Sequence, residues 1–211
     1  MKRAIVPRHV VIDDFLAPEH LAALDSYAAS REGDLCRIDI EKEADGSEYS
    51  ASRPAPRRLW QAAGALGPCE PRFTAAVAGR LGELFAGTGT LPFDVAHYES
   101  ELNAQFSGSY FGRHIDTVYG EHTNDRTTNR VISIVFYFSR PDASFAGGEL
   151  LLFPFNDTVP ALSIAPLRNR LVAFPSFAVH EVSAVVAEDE GMANVRLSVN
   201  CWLHCARPGL G

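Results

Sequence analysis

The amino-acid sequence predicts a mostly β fold in which N-terminal helices back a double-stranded β-helix, or jelly roll. Helical patterns are confined to the first 90 or so residues, and short β-rich segments separated by turn residues follow from Leu91 onward. We count about eight such segments, the number that a jelly roll requires. A length of 211 residues suits a single domain, 1–211, with a helical part over about 1–90 and a β-barrel core over about 91–205.

The composition excludes several classes of function. A net charge of −7 and a pI near 5.5 argue against a protein that binds nucleic-acid phosphates. The sequence contains no apolar run long enough to cross a membrane, and its four cysteines show neither a Cys-x-x-Cys pair nor a disulfide framework. We therefore expect a cytoplasmic protein whose partners include no nucleic acid and no membrane.

The helical part is expected to begin with a short strand over 9–15. A helix should then start at Pro18, and a second helix should run from Pro71 to about Phe85. Between the helices, residues 32–58 combine an acidic run with a segment rich in arginine and proline. They predict a long loop, which could be either a solvated connection or a lid over a pocket.

The barrel strands are expected near 93–104, 109–116, 130–139, 149–153, 161–165, 170–174, 179–186 and 194–204. In the last of them, alternate residues from Val195 to Leu203 are apolar, so that this face should pack on the helices. Arg196 and Ser198 then belong to the opposite face, which points into the barrel, as does Tyr137 in strand 130–139. A buried arginine is costly unless an anion meets it.

The chemistry is expected at the segment 111–117. In an extended strand His114 and Asp116 project from the same face. An imidazole and a carboxylate side by side supply two members of a facial triad, which suits non-heme Fe(II) and leaves coordination positions open. His180 is the candidate third ligand. The alternative is a polar strand end with a hydrogen-bonded histidine.

An ordered series of motifs resembles the 2-oxoglutarate- and Fe(II)-dependent dioxygenases, specifically their prolyl 4-hydroxylase-like branch. The resemblance covers about residues 9 to 204 and is weakest between 32 and 90. The expected jelly roll is of the cupin-like kind. The matching segments are Val10–Leu16, Tyr110–Asp116, Arg130–Phe138, Ala146–Leu150 with Phe153 and Pro154, Arg170–Phe174, His180–Val182, and Arg196–Ser198 before Trp202.

The resemblance implies roles for particular residues. His114, Asp116 and His180 would hold Fe(II), and Arg196 would bind the distal carboxylate of 2-oxoglutarate, with Tyr137 and Ser198 as hydrogen-bond donors. Fe(II), 2-oxoglutarate and the cosubstrate O2 are the implied cofactors, and ascorbate could support them. Because both lysines lie near the N-terminus, the cationic anchor must be an arginine, and Arg207 is the alternative to Arg196.

Three functions remain open at the level of sequence. The first is a dioxygenase that hydroxylates an unactivated C–H bond of a small molecule or amino-acid-like substrate and releases succinate and CO2. The second is a peptidyl (prolyl) hydroxylase that acts on a protein. The third is a non-catalytic metal-binding barrel or a non-oxidative metal enzyme. Asp116 favours hydroxylation, desaturation or ring closure over halogenation, because the halogenases that resemble this family lack the carboxylate.

Several further residues could line the pocket. His204 faces inward by the strand count, and His122 belongs to the loop 117–129 that follows Asp116. Asn103 and Gln105 precede the metal strand, although the sequence does not fix their orientation. Cys201 and Cys205 are expected to be core thiols rather than metal ligands.

Overall fold

The protein is described by a computed structural model over residues 7–37, 57–59, 65–117, 127–154, 162–188 and 191–207. Three helices lie in the first half of the chain: α1 Pro18–Ser30, α2 Glu70–Ala78 and α3 Leu81–Thr88. Pro18 occupies the first turn of α1, where a missing backbone N–H costs nothing. Gly89 ends α3 in the left-handed conformation, at φ 70°, which glycine adopts without strain.

The expectation of one helix from Pro71 to Phe85 was wrong. The chain forms two helices instead, because α2 ends at Ala78, just before Gly79, and Arg80 leaves the helical region, with φ −111° and ψ 3°. Glycine is a poor helix former, and the break there allows each helix to bury its own apolar residues. Phe73 and Val77 of α2 and Leu84 of α3 are all buried.

Eleven described strands form two antiparallel sheets. The larger sheet contains β1 Val10–Ile12, β2 Cys36–Arg37, β3 Arg57–Leu59, β4 Val95–Gln105, β6 Thr128–Tyr137, β9 Arg170–Pro175 and β11 Arg196–Ala206, in the order β1-β9-β6-β11-β4-β3-β2. The smaller sheet contains β5 Phe111–His114, β7 Leu150–Leu152, β8 Leu162–Ile164 and β10 His180–Val182, in the order β5-β10-β7-β8. All eight expected barrel strands are present, and the predicted jelly roll backed by helices is confirmed.

The two faces of the larger sheet bury two different cores. The outer face packs on the helices, where Phe15, Phe73 and Phe136 form a cluster of rings with centroids 5.6–6.1 Å apart. The inner face meets the smaller sheet through residues that include Val135 and Tyr137. This alternation leaves the polar residues of β4, β6 and β11 on the inner face.

Two expectations fall mainly on residues that the structure does not describe. Most of the expected loop 32–58 and most of the loop 117–129, including His122, lie outside the described residues. The cysteines whose side chains are described, Cys69, Cys201 and Cys205, are free thiols, as expected, although Cys205 is only half-buried. Among the described helices none is long and apolar enough to span a membrane.

Candidate active site

The smaller sheet and the turn after β5 bring together the three predicted metal ligands. His114 and His180 face each other across β5 and β10, and their ring centroids are 4.1 Å apart. Asp116 Oδ1 lies 3.5 Å from His114 Nε2, and its Oδ2 lies 3.6 Å from His180 Nε2. One ligand atom from each residue falls within 4.8 Å of the other two, which is close enough for all three to coordinate one ion.

Backbone carbonyls orient both imidazoles. His114 Nδ1 lies 2.8 Å from the carbonyl oxygen of Gly112, and His180 Nδ1 lies 2.9 Å from that of Ala178. A carbonyl can only accept a hydrogen bond, so each Nδ1 carries the proton. Each Nε2 is therefore the ring nitrogen left for a metal ion, and it lies towards Asp116.

Asp116 is held by the larger sheet and by the turn after β9. Ser133 of β6 donates a hydrogen bond to Asp116 Oδ2 at 2.6 Å, and the backbone N–H of Asp116 donates to the carbonyl of Ser176 at 2.8 Å. Burial alone would raise the pKa of Asp116. The interactions with His180 and His114 and the hydrogen bond from Ser133 outweigh it and hold the pKa of Asp116 below its usual value.

The electrostatic state of the three ligands suits a cation. Burial and the neighbouring His114 lower the pKa of His180 to about 4, so this imidazole is neutral at physiological pH. Asp116 is ionised under the same conditions. Two imidazoles and one carboxylate form the donor set preferred by non-heme Fe(II), and the set leaves coordination positions for other ligands. These residues fit an Fe(II) ion.

Arg196, at the start of β11, lies on the same inner face and is only 2% exposed. Its Nε donates to the carbonyl of Gly148 at 2.8 Å, and its Nη1 donates to Gln105 Oε1 and lies 3.3 Å from Ser198 Oγ. All of these partners are neutral. Burial lowers the pKa of Arg196, yet a guanidinium keeps its proton in proteins. The site therefore holds a buried positive charge that no described carboxylate binds.

Two buried donors near this charge lack partners among the described residues. They are Arg196 Nη2 and the Tyr137 hydroxyl, which interact electrostatically with each other, and the Arg196 guanidinium carbon lies 4.9 Å from the centre of the Tyr137 ring. Burial raises the pKa of Tyr137, so its hydroxyl stays protonated. A buried polar group without a partner is costly. A carboxylate accepts from both donors and neutralises the guanidinium, so the distal end of 2-oxoglutarate fits these residues.

The opposite end of the inner face is arranged differently. Arg130 donates to Glu99 through Nε at 2.8 Å and Nη2 at 2.5 Å, and its guanidinium carbon lies 3.8 Å from the Trp202 ring centre. His204 Nε2 lies 2.8 Å from Glu99 Oε2, and its ring stacks on His97 at 3.9 Å. Trp202 pairs with Ser133, the residue that binds Asp116. This second polar group therefore borders the site on the side of Asp116.

Sequence reasoning missed several residues that position the predicted ones. Ser133 belongs to the predicted strand 130–139 but was assigned no role, and Gln105 was left without an orientation. The alternation of β4 could have located Gln105, because it pairs with Arg196 across β4 and β11. The backbone contacts from Ala178, Gly112 and Ser176 carry no side-chain pattern, and only the fold reveals them.

Comparisons with known proteins agree with this geometry. The model of the 2OG-Fe(II) oxygenase superfamily matches residues 95–204. An uncharacterized PKHD-type hydroxylase from Synechocystis sp. is 33% identical over 131 residues, which is 59% of this chain and 42% of that protein, so the match spans less than half of the relative's length.

Solved structures support the fold. A prolyl-4-hydroxylase from Pseudomonas putida superposes with a TM-score of 0.64 at 20% identity, covering 95% of this chain and 93% of that one. A prolyl hydroxylase from Trichoplax adhaerens, solved in complex with a hypoxia inducible factor peptide fragment, superposes with a TM-score of 0.65 at 17% identity, covering 93% and 83%.

Proposed function

Because the chain belongs to the 2OG-Fe(II) oxygenase superfamily, we propose that it is an Fe(II)- and 2-oxoglutarate-dependent hydroxylase of a small-molecule or amino-acid-like substrate. Membership confirms the dioxygenase family that the motifs resemble. The reagents of that family are Fe(II), 2-oxoglutarate and O2. The observation that carries the proposal is the combination of a three-ligand cluster with two buried, unpartnered donors on one inner face.

We assign the binding of Fe(II) to His114, Asp116 and His180. Arg196, Tyr137 and Ser198 are assigned to the distal carboxylate of 2-oxoglutarate. When bound, the iron and 2-oxoglutarate supply the oxidation chemistry, in which one atom of O2 enters succinate, the other enters a C–H bond of the substrate, and CO2 is released. The protein residues orient these groups, and the buried walls keep water away from them.

The substrate is proposed to lie on the side of Asp116 that is away from Arg196. There Trp202 borders Ser133, and Glu99 and His204 supply polar groups beyond it. A wall that combines an indole ring with hydrogen-bonding groups suits a substrate with both apolar carbon and polar groups, such as an amino acid. Ascorbate stays a prediction, as an additive that would sustain turnover.

A peptidyl hydroxylase is the second candidate. The structure from Trichoplax adhaerens shares the fold and contains a bound peptide fragment, which favours this alternative. The non-catalytic barrel is a weaker candidate, because it gives no reason for keeping Arg196 Nη2 and the Tyr137 hydroxyl buried without partners.

The test is an anaerobic titration with Fe(II) and then 2-oxoglutarate, in which we expect the weak visible charge-transfer band of a chelated 2-oxo acid. The band should disappear in His180→Ala and persist in His20→Ala, which changes a half-buried histidine of α1 outside the three-ligand cluster. Succinate release, measured with panels of amino acids and of peptides, then separates the two substrate classes. Absence of the band from the wild-type protein would contradict the proposal.

A further inference from the structure

Gln105 occupies a place that the proposed function leaves unexplained. It is the last residue of β4, it is 4% exposed, and it pairs directly with Arg196 of β11. The inner face thus carries a neutral amide beside a buried guanidinium. The contact joins residues that are 91 positions apart in the chain, so it exists only in the folded barrel.

The chemistry of the contact fixes the orientation of the amide. A guanidinium only donates hydrogen bonds, so the atom of Gln105 that faces Arg196 must be Oε1. This bond engages Nη1, while the carbonyl of Gly148 engages Nε at 2.8 Å. The two bonds hold two corners of the planar group. Nη2, the third corner, is the one without a described partner.

Gly148 restricts the guanidinium from one side. A Cβ atom at this position would lie 2.5 Å from Arg196 Cδ and 2.9 Å from Nε, so only glycine admits the side chain here. Its φ of 71° is also one that glycine adopts most readily. Arg196 therefore has a close neighbour behind it and Gln105 at its side, and its free corner is fixed in direction.

We propose that Gln105 is a positioning residue that makes this site select a 2-oxo acid with a second carboxylate. The inference rests on the proposed function. Gln105 holds Nη1 without compensating the charge of Arg196, so Nη2 and the Tyr137 hydroxyl remain available to an anionic group. A 2-oxo acid without that second carboxylate leaves the buried charge and both donors unpaired, and the site discriminates against it.

Glutamate and methionine separate the two parts of this role. Gln105→Glu keeps the shape and the contact, but its carboxylate pairs with Arg196 and competes with the ligand. Gln105→Met keeps approximately the same volume and removes the amide oxygen that holds Nη1. We expect the first change to reduce the preference of the site for a second carboxylate, and the second to loosen the guanidinium.

The experiment measures the Kd of two 2-oxo acids by the anaerobic charge-transfer titration of the Fe(II) protein. The ligands are 2-oxoglutarate and 2-oxopentanoate, which share the chelating end and differ in the distal carboxylate. For Gln105→Glu we expect the Kd of 2-oxoglutarate to rise about 10- to 100-fold while that of 2-oxopentanoate stays within about threefold of the wild-type value. Gln105→Met should raise the 2-oxoglutarate Kd by about three- to tenfold and spare 2-oxopentanoate.

Ser139→Ala is the matched control. Ser139 Oγ accepts the backbone N–H of Leu197 at 2.9 Å, so this variant loses a buried hydrogen bond next to Arg196 without touching the guanidinium. It should lower the unfolding temperature and leave the ratio of the two Kd values unchanged. Equal weakening of both ligands by the Gln105 variants, or no weakening, would overturn the inference. A wild-type protein without the band would instead overturn the proposed function, so the two failures are distinguishable.

Discussion

Two arginines on the inner face of the barrel differ in whether a carboxylate of the protein binds them. Arg130 lies against Glu99 and Trp202, and its pKa is raised by that carboxylate in spite of burial. Arg196 is more deeply buried, its pKa is lowered by burial, and its described partners are Gly148, Ser198 and Gln105, all neutral. One charge is compensated within the protein and the other is not.

The contrast between the two arginines indicates which end of the polar inner face binds a ligand. A compensated arginine stabilises the wall on which it lies, because its charge and its main donors are already engaged. An uncompensated arginine is stable only with an anion beside it, so it marks a binding site. We infer that the Arg196 end binds the cosubstrate carboxylate and that the Arg130 end shapes the substrate side.

The largest expected effect distinguishes the two arginines by ligand affinity. Arg196→Ala should raise the Kd of 2-oxoglutarate by about 100-fold, because a charge-assisted hydrogen bond contributes about 1.5–3 kcal/mol and the charge is lost with it. The anaerobic titration measures this value. Arg207→Ala is the control and should bind 2-oxoglutarate like the wild-type protein. An unchanged Kd in Arg196→Ala would move the carboxylate site elsewhere.

The converse effect concerns stability. Arg130→Ala should lower the free energy of unfolding by about 2–3 kcal/mol, because it leaves the Glu99 carboxylate partly buried without its main partner. Urea unfolding measures the loss. The Kd of 2-oxoglutarate should change by less than about threefold. If Arg130→Ala weakened 2-oxoglutarate as strongly as Arg196→Ala, the contrast between the two ends would fail.

The Glu99 carboxylate predicts how stability depends on pH. Burial alone would raise the pKa of Glu99, but the hydrogen bonds from His204 and Arg130 lower it from 4.5 to about 2. Because the ionised Glu99 is favoured in the folded protein, it stabilises the fold at pH values above 4.5. This contribution is lost as the pH falls from 4.5 towards 2. Wild-type protein should lose about 2–3 kcal/mol more stability than Glu99→Gln, because other carboxyl groups with a lowered pKa, such as Asp116, titrate in both proteins. Urea unfolding at about pH 6 and about pH 3 compares the two; parallel losses would contradict the assignment.

The smallest expected effect concerns the Tyr137 hydroxyl. Tyr137→Phe removes one neutral donor, so the Kd of 2-oxoglutarate should rise by about three- to tenfold. In the absence of ligand the variant should be as stable as the wild-type protein or slightly more stable, because an unpartnered buried hydroxyl disappears. Thermal unfolding with and without 2-oxoglutarate separates the two effects. A destabilised ligand-free variant would show that the hydroxyl already has a structural partner.

The sequence was sufficient to predict which way a side chain points when its direction follows from the alternation of a strand. The period-two pattern of β11 and β6 put Arg196, Ser198 and Tyr137 on one face, and the structure has them there. It could not reveal the contrast between Arg196 and Arg130, because that contrast depends on which strand neighbours each arginine. The pairing of β4 with β11 brings Glu99 to one end and Gln105 to the other.

The helical part was predicted less well, for a physical reason. Gly79 lies within a pattern that is otherwise helical, and whether the chain bends there depends on how α2 and α3 pack on the sheet, which the local sequence does not encode. The carbonyls that orient His114 and His180 were equally hidden, because every residue has one.

The most direct test of the account is anomalous diffraction at the iron edge from anaerobic crystals that contain Fe(II) and 2-oxoglutarate. We predict one iron peak bounded by His114, Asp116 and His180, with the distal carboxylate of the ligand between Arg196 Nη2 and the Tyr137 hydroxyl. An iron peak away from these three residues, or a ligand carboxylate bound at Arg130, would contradict the account.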